Sequence, residues 1–282
     1  MTATDRINNI AETAVSCVKL IAQSRRSEVS RAPRAGETLV IMANGPSLAR
    51  DIAERMPLLQ KSPTMAVNFA ANAPEFTALR PAGYILADPH FFSPRGDDPN
   101  LDRLIDRLST LVDWPMTLYL PMGKHLGLNN PNIHTEPVNF LGIAGPEWLT
   151  RRAYRAGRGM PRPRNVLVPA IMTAIKAGYR RIAIAGADHT WLQTLSVGDD
   201  NRVVTVQPHF YKDNSEEKAR VTSVYKDVRL HDILESFRVA FRSYHGIARF
   251  AAAEGVEIIN ATPGSYIDAF PRASLEQAVS AR

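Results

Sequence analysis

Ile7, Ile10, Ala14, Val18 and Ile21 recur at helical spacing near the start of the chain, and Val15 and Ala22 widen the stripe. That period predicts an amphipathic helix over about 5–23. The next segment, 24–36 (SRRSEVSRAPRAG), is basic and polar without apolar periodicity and reads as a loop or linker. From residue 38 the pattern changes to short apolar, β-rich runs: 38–43 (TLVIMA), 64–69 (TMAVNF), 83–87 (GYILA), 116–120, 181–185 (RIAIA), 202–207 and 256–259. Helical patterns at 48–56, 101–112, 168–177 and 228–254 fall between them, the last two stopped by Gly178 and Gly255. Between about 121 and 164 the pattern weakens and Pro, Gly and Asn accumulate, which suits an insertion such as a lid or an acceptor-binding segment.

Strands alternating with helices predict an α/β, Rossmann-like fold: a mostly parallel sheet with helices on both faces, plus the N-terminal helix. The expected organisation is the helix and basic linker over 1–36, then one domain over 37–282. In such sheets ligands bind at the carboxyl ends of strands, near a switch in strand order. Asn44, Asn68, Asp88 and Asp188 each stand at the end of a predicted strand and so converge on one rim.

Composition narrows the classes. With 45% hydrophobic and 22% charged residues over 282 positions, disorder along the whole chain is excluded. The net charge of +6 suits anionic partners such as nucleotides, phosphoglycans or a membrane surface, without choosing among them. The single cysteine, Cys17, forms no internal disulfide and no Cys-pair metal site, which points to a reducing compartment. No apolar run reaches the roughly 18 residues of a membrane helix, and Asp5 and Glu12 interrupt the N-terminal stretch, so it does not read as a signal peptide. A cytoplasmic location is expected, with contact at the inner membrane surface left open. For the N-terminal helix, docking on the domain or pairing with a second copy fits better than a membrane, because its basic residues cluster after the stripe.

The first rim motif is Asn44-Gly45-Pro46-Ser47-Leu48. Glycine after a strand lets the backbone turn tightly and approach a ligand, and the helix that follows offers unpaired N–H groups to a phosphate. Ser47 is placed to cap that helix or to bond the phosphate. The motif is neither a GxGxxG fingerprint nor a P-loop, so hydride-transfer cofactors and Walker-type ATP binding lose support.

MANGPSL after the first strand, AVNF after the second and LADPHFF after the third resemble bacterial sialyltransferases that act on surface lipooligosaccharides. The block 168–191 (VPAIMTAIKAGYRRIAIAGADHTW) and the C-terminal GVEIINATPGS are similar to later segments of those enzymes. The motility accessory factors that glycosylate flagellin, and archaeal 6-hydroxymethylpterin diphosphokinases, share these features. The resemblance runs as an ordered set of short motifs over about 38–270 and leaves out the N-terminal helix.

What the resemblance implies is a glycosyltransferase-like enzyme that moves a sialic-acid-like sugar from a CMP-activated donor to a cell-surface or flagellar glycan. Asn44 and Asn68 match asparagines that contact the donor, with Gly45 and Ser47 near the nucleotide. Asp88 departs from the pattern, which has Asn there. Together with Asp188 it opens an alternative, a metal-dependent diphosphokinase-like reaction in which both carboxylates hold Mg²⁺; otherwise no metal or cofactor is expected. A nucleotide-binding protein without catalysis is a third class. The family's general base is a His between the Gly-x-Asp block and the last helix. His209 and His231 lie in that interval but keep neither of its neighbours, and His189 and His90 stand beside the rim aspartates. Of the stacking or hydroxyl-donating aromatics, Tyr211, Tyr225 and Trp191 are candidates, although Thr190 and Trp191 stand where the family has a tyrosine. The run 151–164 (RRAYRAGRGMPRPR) either clamps a phosphate or phosphorylated acceptor or is a solvated loop. With only Tyr154 among its arginines it makes no nucleic-acid platform. The expected partners are therefore a CMP-sugar and a glycan acceptor, no nucleic acid, with membrane contact and homo-oligomerisation open.

Overall fold

The computed structural model describes residues 3–92, 98–204 and 228–280. His209, Tyr211, Tyr225 and the end of the expected strand 202–207 lie outside the described residues.

Seven parallel strands form one sheet. In chain order they are β1 (Thr38–Met42), β2 (Thr64–Val67), β3 (Gly83–Ile85), β4 (Met116–Pro121), β5 (Ile133–Val138), β6 (Arg181–Ala185) and, after a short antiparallel pair β7 (Ser196–Val197) and β8 (Val203–Val204), β9 (Glu257–Asn260). Their spatial order is β5-β4-β3-β2-β1-β6-β9. The chain thus builds outward from β1 to β5, then crosses back to lay β6 on the other side of β1, with Thr38 opposite Arg181 and Met42 opposite Ala185. The reversal of strand order falls between β1 and β6.

Both faces of the sheet are buried, as all-parallel sheets require. Alternation along β1 sends Leu39 and Ile41 to one face and Val40 and Met42 to the other. The first face packs under α5 (Glu147–Arg155), α6 (Leu167–Lys176) and α7 (Leu230–Ala253), through Tyr154, Ile171, Ile175, Tyr244 and Ile247. The second packs under α2 (Ser47–Lys61), the single turn α3 (Phe76–Leu79), α4 (Pro99–Leu111) and α8 (Leu275–Ser280), through Leu48, Phe76, Leu104, Leu108 and Leu275.

Local chemistry explains several boundaries. α4 opens on Asp98, whose carboxylate accepts from the N–H groups of Asn100 and Leu101, with Pro99 in the first turn. α6 ends at Gly178, which holds φ +91. α2 continues past the expected 48–56 to Lys61, kinked at Arg55 ahead of Pro57. The run 64–69 is strand only to Val67 and then turns into a 3-10 segment, Asn68–Asn72.

The stretch 121–164 carries two regular elements, β5 and α5, in place of an irregular insertion. β5 is an edge strand with Pro137 inside it and a buried Glu136, so no clean apolar alternation marks it. Glu136 accepts from the Ser30 N–H at 3.1 Å, which ties the linker to this edge. Further along the linker, Ala32 N–H donates to Ala177 C=O at 2.9 Å and Ser27 N–H to Gly157 C=O at 3.0 Å. The linker is therefore a strap held to the domain by the backbone N–H groups of Ser27, Ser30 and Ala32.

The N-terminal helix α1 (Ala3–Ala22) lies against the domain with its apolar stripe outward: Val15, Val18 and Ile21 are exposed and Ser16 is buried. Among the described residues no helix is long and apolar enough to cross a membrane.

Candidate functional site

β1 and β6 stay zipped beyond their last strand residues. Ala43 N–H donates to Ala185 C=O at 2.9 Å and Gly45 N–H to Gly186 C=O at 2.7 Å. Two glycines make that approach possible. A Cβ on Gly45 would lie 2.0 Å from Asp188 Oδ2, and one on Gly186, at φ +70, would lie 2.6 Å from Ala43 C=O. The chain then turns down into α2 on one side and into Asp188 and His189 on the other. These turns meet where the strand order reverses, the place where open α/β sheets bind ligands.

Asp188 occupies the start of α2. Its Oδ2 accepts from Ser47 Oγ at 2.8 Å and from Ser47 N–H at 3.4 Å. A carboxylate at a helix N-terminus is stabilised by the unpaired N–H groups and the helix dipole. The terminus expected to cradle a phosphate is thus engaged by the protein's own anion. Pro46 is the N-cap residue, so Ser47 serves as Asp188's donor and not as the cap.

Asn44 is buried at the end of β1. Its Nδ2 donates to Val67 C=O at 3.2 Å, which fixes the amide orientation and leaves Oδ1 buried without a partner. Asn68 ends β2 in a left-handed conformation, φ +51, that asparagine tolerates, and its Oδ1 is also buried and unpartnered. Its carbonyl accepts from the phenol of Tyr84, which in turn accepts from Ala71 N–H at 2.9 Å. Asn72 Oδ1, one turn on, is the third such oxygen. Asp51 Oδ2, Thr64 Oγ1 and Thr173 Oγ1 are likewise buried without a partner; Asn44 and Asn68 are distinguished by standing together at adjacent strand ends.

Asp88 and Asp188 stand three residues past the ends of β3 and β6, which are separated by β2 and β1. Three interstrand spacings, about 14 Å, separate the strand ends that carry them, against the roughly 2 Å contacts of a shared Mg²⁺. Asp88 is exposed and accepts from His90 N–H at 2.9 Å, a local turn.

The histidines separate by environment. His231, in the first turn of α7, is exposed, with the neighbouring Asp232 carboxylate 3.4 Å from its Nε2. His90 Nε2 meets Asp98, the capping residue of α4. His189 is buried in a left-handed turn, φ 54, with its ring 4.2 Å from that of Trp191 and 6.1 Å from that of Phe241. Burial lowers its pKa to about 3, so the imidazole is neutral. Its Nε2 lies 2.6 Å from Tyr244 Oη, and Asn165 Nδ2 donates to the same hydroxyl at 2.6 Å. Burial pushes the Tyr244 phenol up, so its hydroxyl keeps its proton and donates to Nε2. A neutral histidine held in this way is a poor proton acceptor.

Trp191 stacks between His189 and Phe237, at 4.2 and 5.3 Å. Asn165 and Tyr244 carry no sequence signal: one precedes a helix and the other sits inside a long helical pattern. The terminal turn also proves structural, since Thr262 Oγ1 accepts from Ala187 N–H at 3.0 Å and Ser265 Oγ donates to Ala187 C=O at 2.6 Å. It braces the Asp188 turn from behind. Among the described residues no group of three or more His, Cys, Asp or Glu is placed to hold a metal.

No protein-family model and no curated protein matches the chain. Among solved structures the chain is similar to a MAf glycosyltransferase from Magnetospirillum magneticum AMB-1, with a TM-score of 0.48 and 10% sequence identity. That match covers 97% of this chain and 39% of the other, so this chain spans about two fifths of its length.

Proposed function

We propose that the crevice between β1 and β6 binds a nucleotide-activated sugar and that the protein transfers the sugar to an acceptor hydroxyl, with a CMP-linked, sialic-acid-like donor and a cell-surface or flagellar glycan as acceptor. The observation that supports this most is the pair of unpartnered buried oxygens, Asn44 Oδ1 and Asn68 Oδ1, at neighbouring strand ends. Ribose and sugar hydroxyls and an exocyclic amino group are the donors such oxygens accept. The resemblance of MANGPSL and AVNF to sialyltransferase motifs points to the same ligand.

In this reaction the acceptor oxygen attacks the anomeric carbon, the bond from that carbon to the phosphate oxygen breaks, and CMP leaves with the electron pair. The acceptor proton passes to a base. His209 is the first candidate, followed by His231; Asp188 is the carboxylate at the crevice itself. His189 is set aside by its low pKa. Two strands lie between the ends that carry Asp88 and Asp188, which favours sugar transfer over the diphosphokinase-like alternative.

The test is turnover of CMP-sugars followed by CMP release. Active protein should lose about 10²–10⁴-fold in rate on His209→Ala, the usual cost of a missing general base, with CMP affinity little changed. CMP binding without turnover of any CMP-sugar would instead fit a nucleotide-binding protein that does no catalysis.

A further inference from the structure

Helix α1 is seated inside out. Ile10, Val18 and Ile21 are 70%, 64% and 87% exposed, whereas Ser16 is buried. Leu20 alone among the stripe's neighbours packs on the core, so the middle of the helix is held by polar contacts. Ser16 Oγ accepts from Ala144 N–H at 3.0 Å, and Glu12 sits between two guanidinium groups.

Beneath Glu12 lies a cavity of about 260 Å³ bounded by α1, α5, α7 and the loop between β5 and α5. Its floor is apolar, with Tyr154 and Phe250 edge to face at 5.4 Å. Its rim carries Arg151, Arg162, Arg242 and Arg249. Glu12 meets Arg242 side by side, Oε2 to Nη2 at 3.2 Å and Oε1 to Nη1 at 3.5 Å, and Arg162 Nη2 lies 3.6 Å from Oε1. Ser243 Oγ, 3.0 Å from the Arg162 carbonyl, fixes that arginine's backbone.

Arg151 pairs outward with Glu254 at 3.8 Å, so three guanidinium groups, Arg162, Arg242 and Arg249, are left against Glu12 and Glu147, a local balance of +1 that rises to +2 without Glu12. A dianion balances that excess better than a second carboxylate, and the planar guanidinium fork matches phosphate oxygens in pairs. The geometry points to an anion-binding site for a small molecule that carries a phosphoryl group, with Glu12 standing at its anion position. The basic run 151–164 thus contributes two arginines, Arg151 and Arg162, together with Tyr154 and Pro161, to a built cavity. The site shares no lining residue with Asn44, Asn68 or Asp188, so it does not depend on the sugar-transfer proposal.

The test is titration of the full chain with inorganic phosphate, with acetate as the carboxylate control. Glu12→Ala should bind phosphate about tenfold more tightly than the parent. Arg162→Gln with Arg242→Gln in that background should remove the gain. Equal affinity in parent and Glu12→Ala, a gain that survives without both arginines, or acetate binding as tightly as phosphate overturns the inference. A second readout needs no variant and is independent of how the arginine changes affect folding. Cys17, the chain's single cysteine, is half-buried on α1. Phosphate that displaces Glu12 should speed its reaction with a thiol reagent, and an unchanged rate contradicts displacement.

Discussion

Asp188 is the residue on which the crevice chemistry turns. Its carboxylate takes the Ser47 hydroxyl and N–H that a donor phosphate would otherwise use. Bound phosphate at this helix end meets a like charge a few ångströms away, a repulsion of about 1 kcal/mol even with the screening of bulk water. Asp188→Asn keeps an oxygen for Ser47 and removes the charge, so CMP affinity should rise about fivefold. Calorimetry reads this directly. Weaker binding in the variant would instead mean that the carboxylate accepts from ribose hydroxyls.

At the scale of elements, the two turns after β1 and β6 are coupled to α7 through His189, Tyr244 and Asn165. His189 titrates near 3 in the folded protein and near 6.5 in the unfolded chain. Between those values the unfolded chain binds the extra proton. The stability tied to the neutral imidazole is therefore complete above about pH 6.5 and is lost as pH falls below it, by up to about 1.4 kcal/mol per unit. Urea midpoints at successively lower pH should fall more steeply for the parent than for His189→Asn, which tolerates the left-handed turn. Parallel slopes would mean that His189 is solvated.

The elements differ in how far the sequence announces them. β1 and β6 are unbroken apolar runs because both faces are covered, and Gly178 and Gly255 stop their helices in plain view. β5 hides because it is an edge strand with only two buried residues, one of them a glutamate paired to the linker. α5 hides inside an arginine-rich run. The stripe of α1 marks a helix but points it the wrong way, since what holds Ser16 and Glu12 inward is hydrogen bonding and charge. Asn44, Asn68 and Asp188 are legible as strand-end polar residues. That Asp88 stands apart from Asp188 follows from strand order, which pattern alone does not contain.

For the molecule as a whole, one reversal in strand order gathers the chemistry. It places the Asn44 turn beside the Asp188 turn, with Asn68 one strand away and the His189–Trp191 stack directly after Asp188. On the same side of the sheet as α7, the arginine cavity under α1 adds a second, separate anion site. The central claim is that the crevice takes a nucleotide-linked sugar on its unpartnered amide oxygens. Calorimetric titration with CMP, on the parent and on Asn44→Ala, tests it most directly. Removing one ligand hydrogen bond at a buried site should weaken binding about tenfold. Undiminished affinity in Asn44→Ala, or no CMP binding by the parent, would contradict the account.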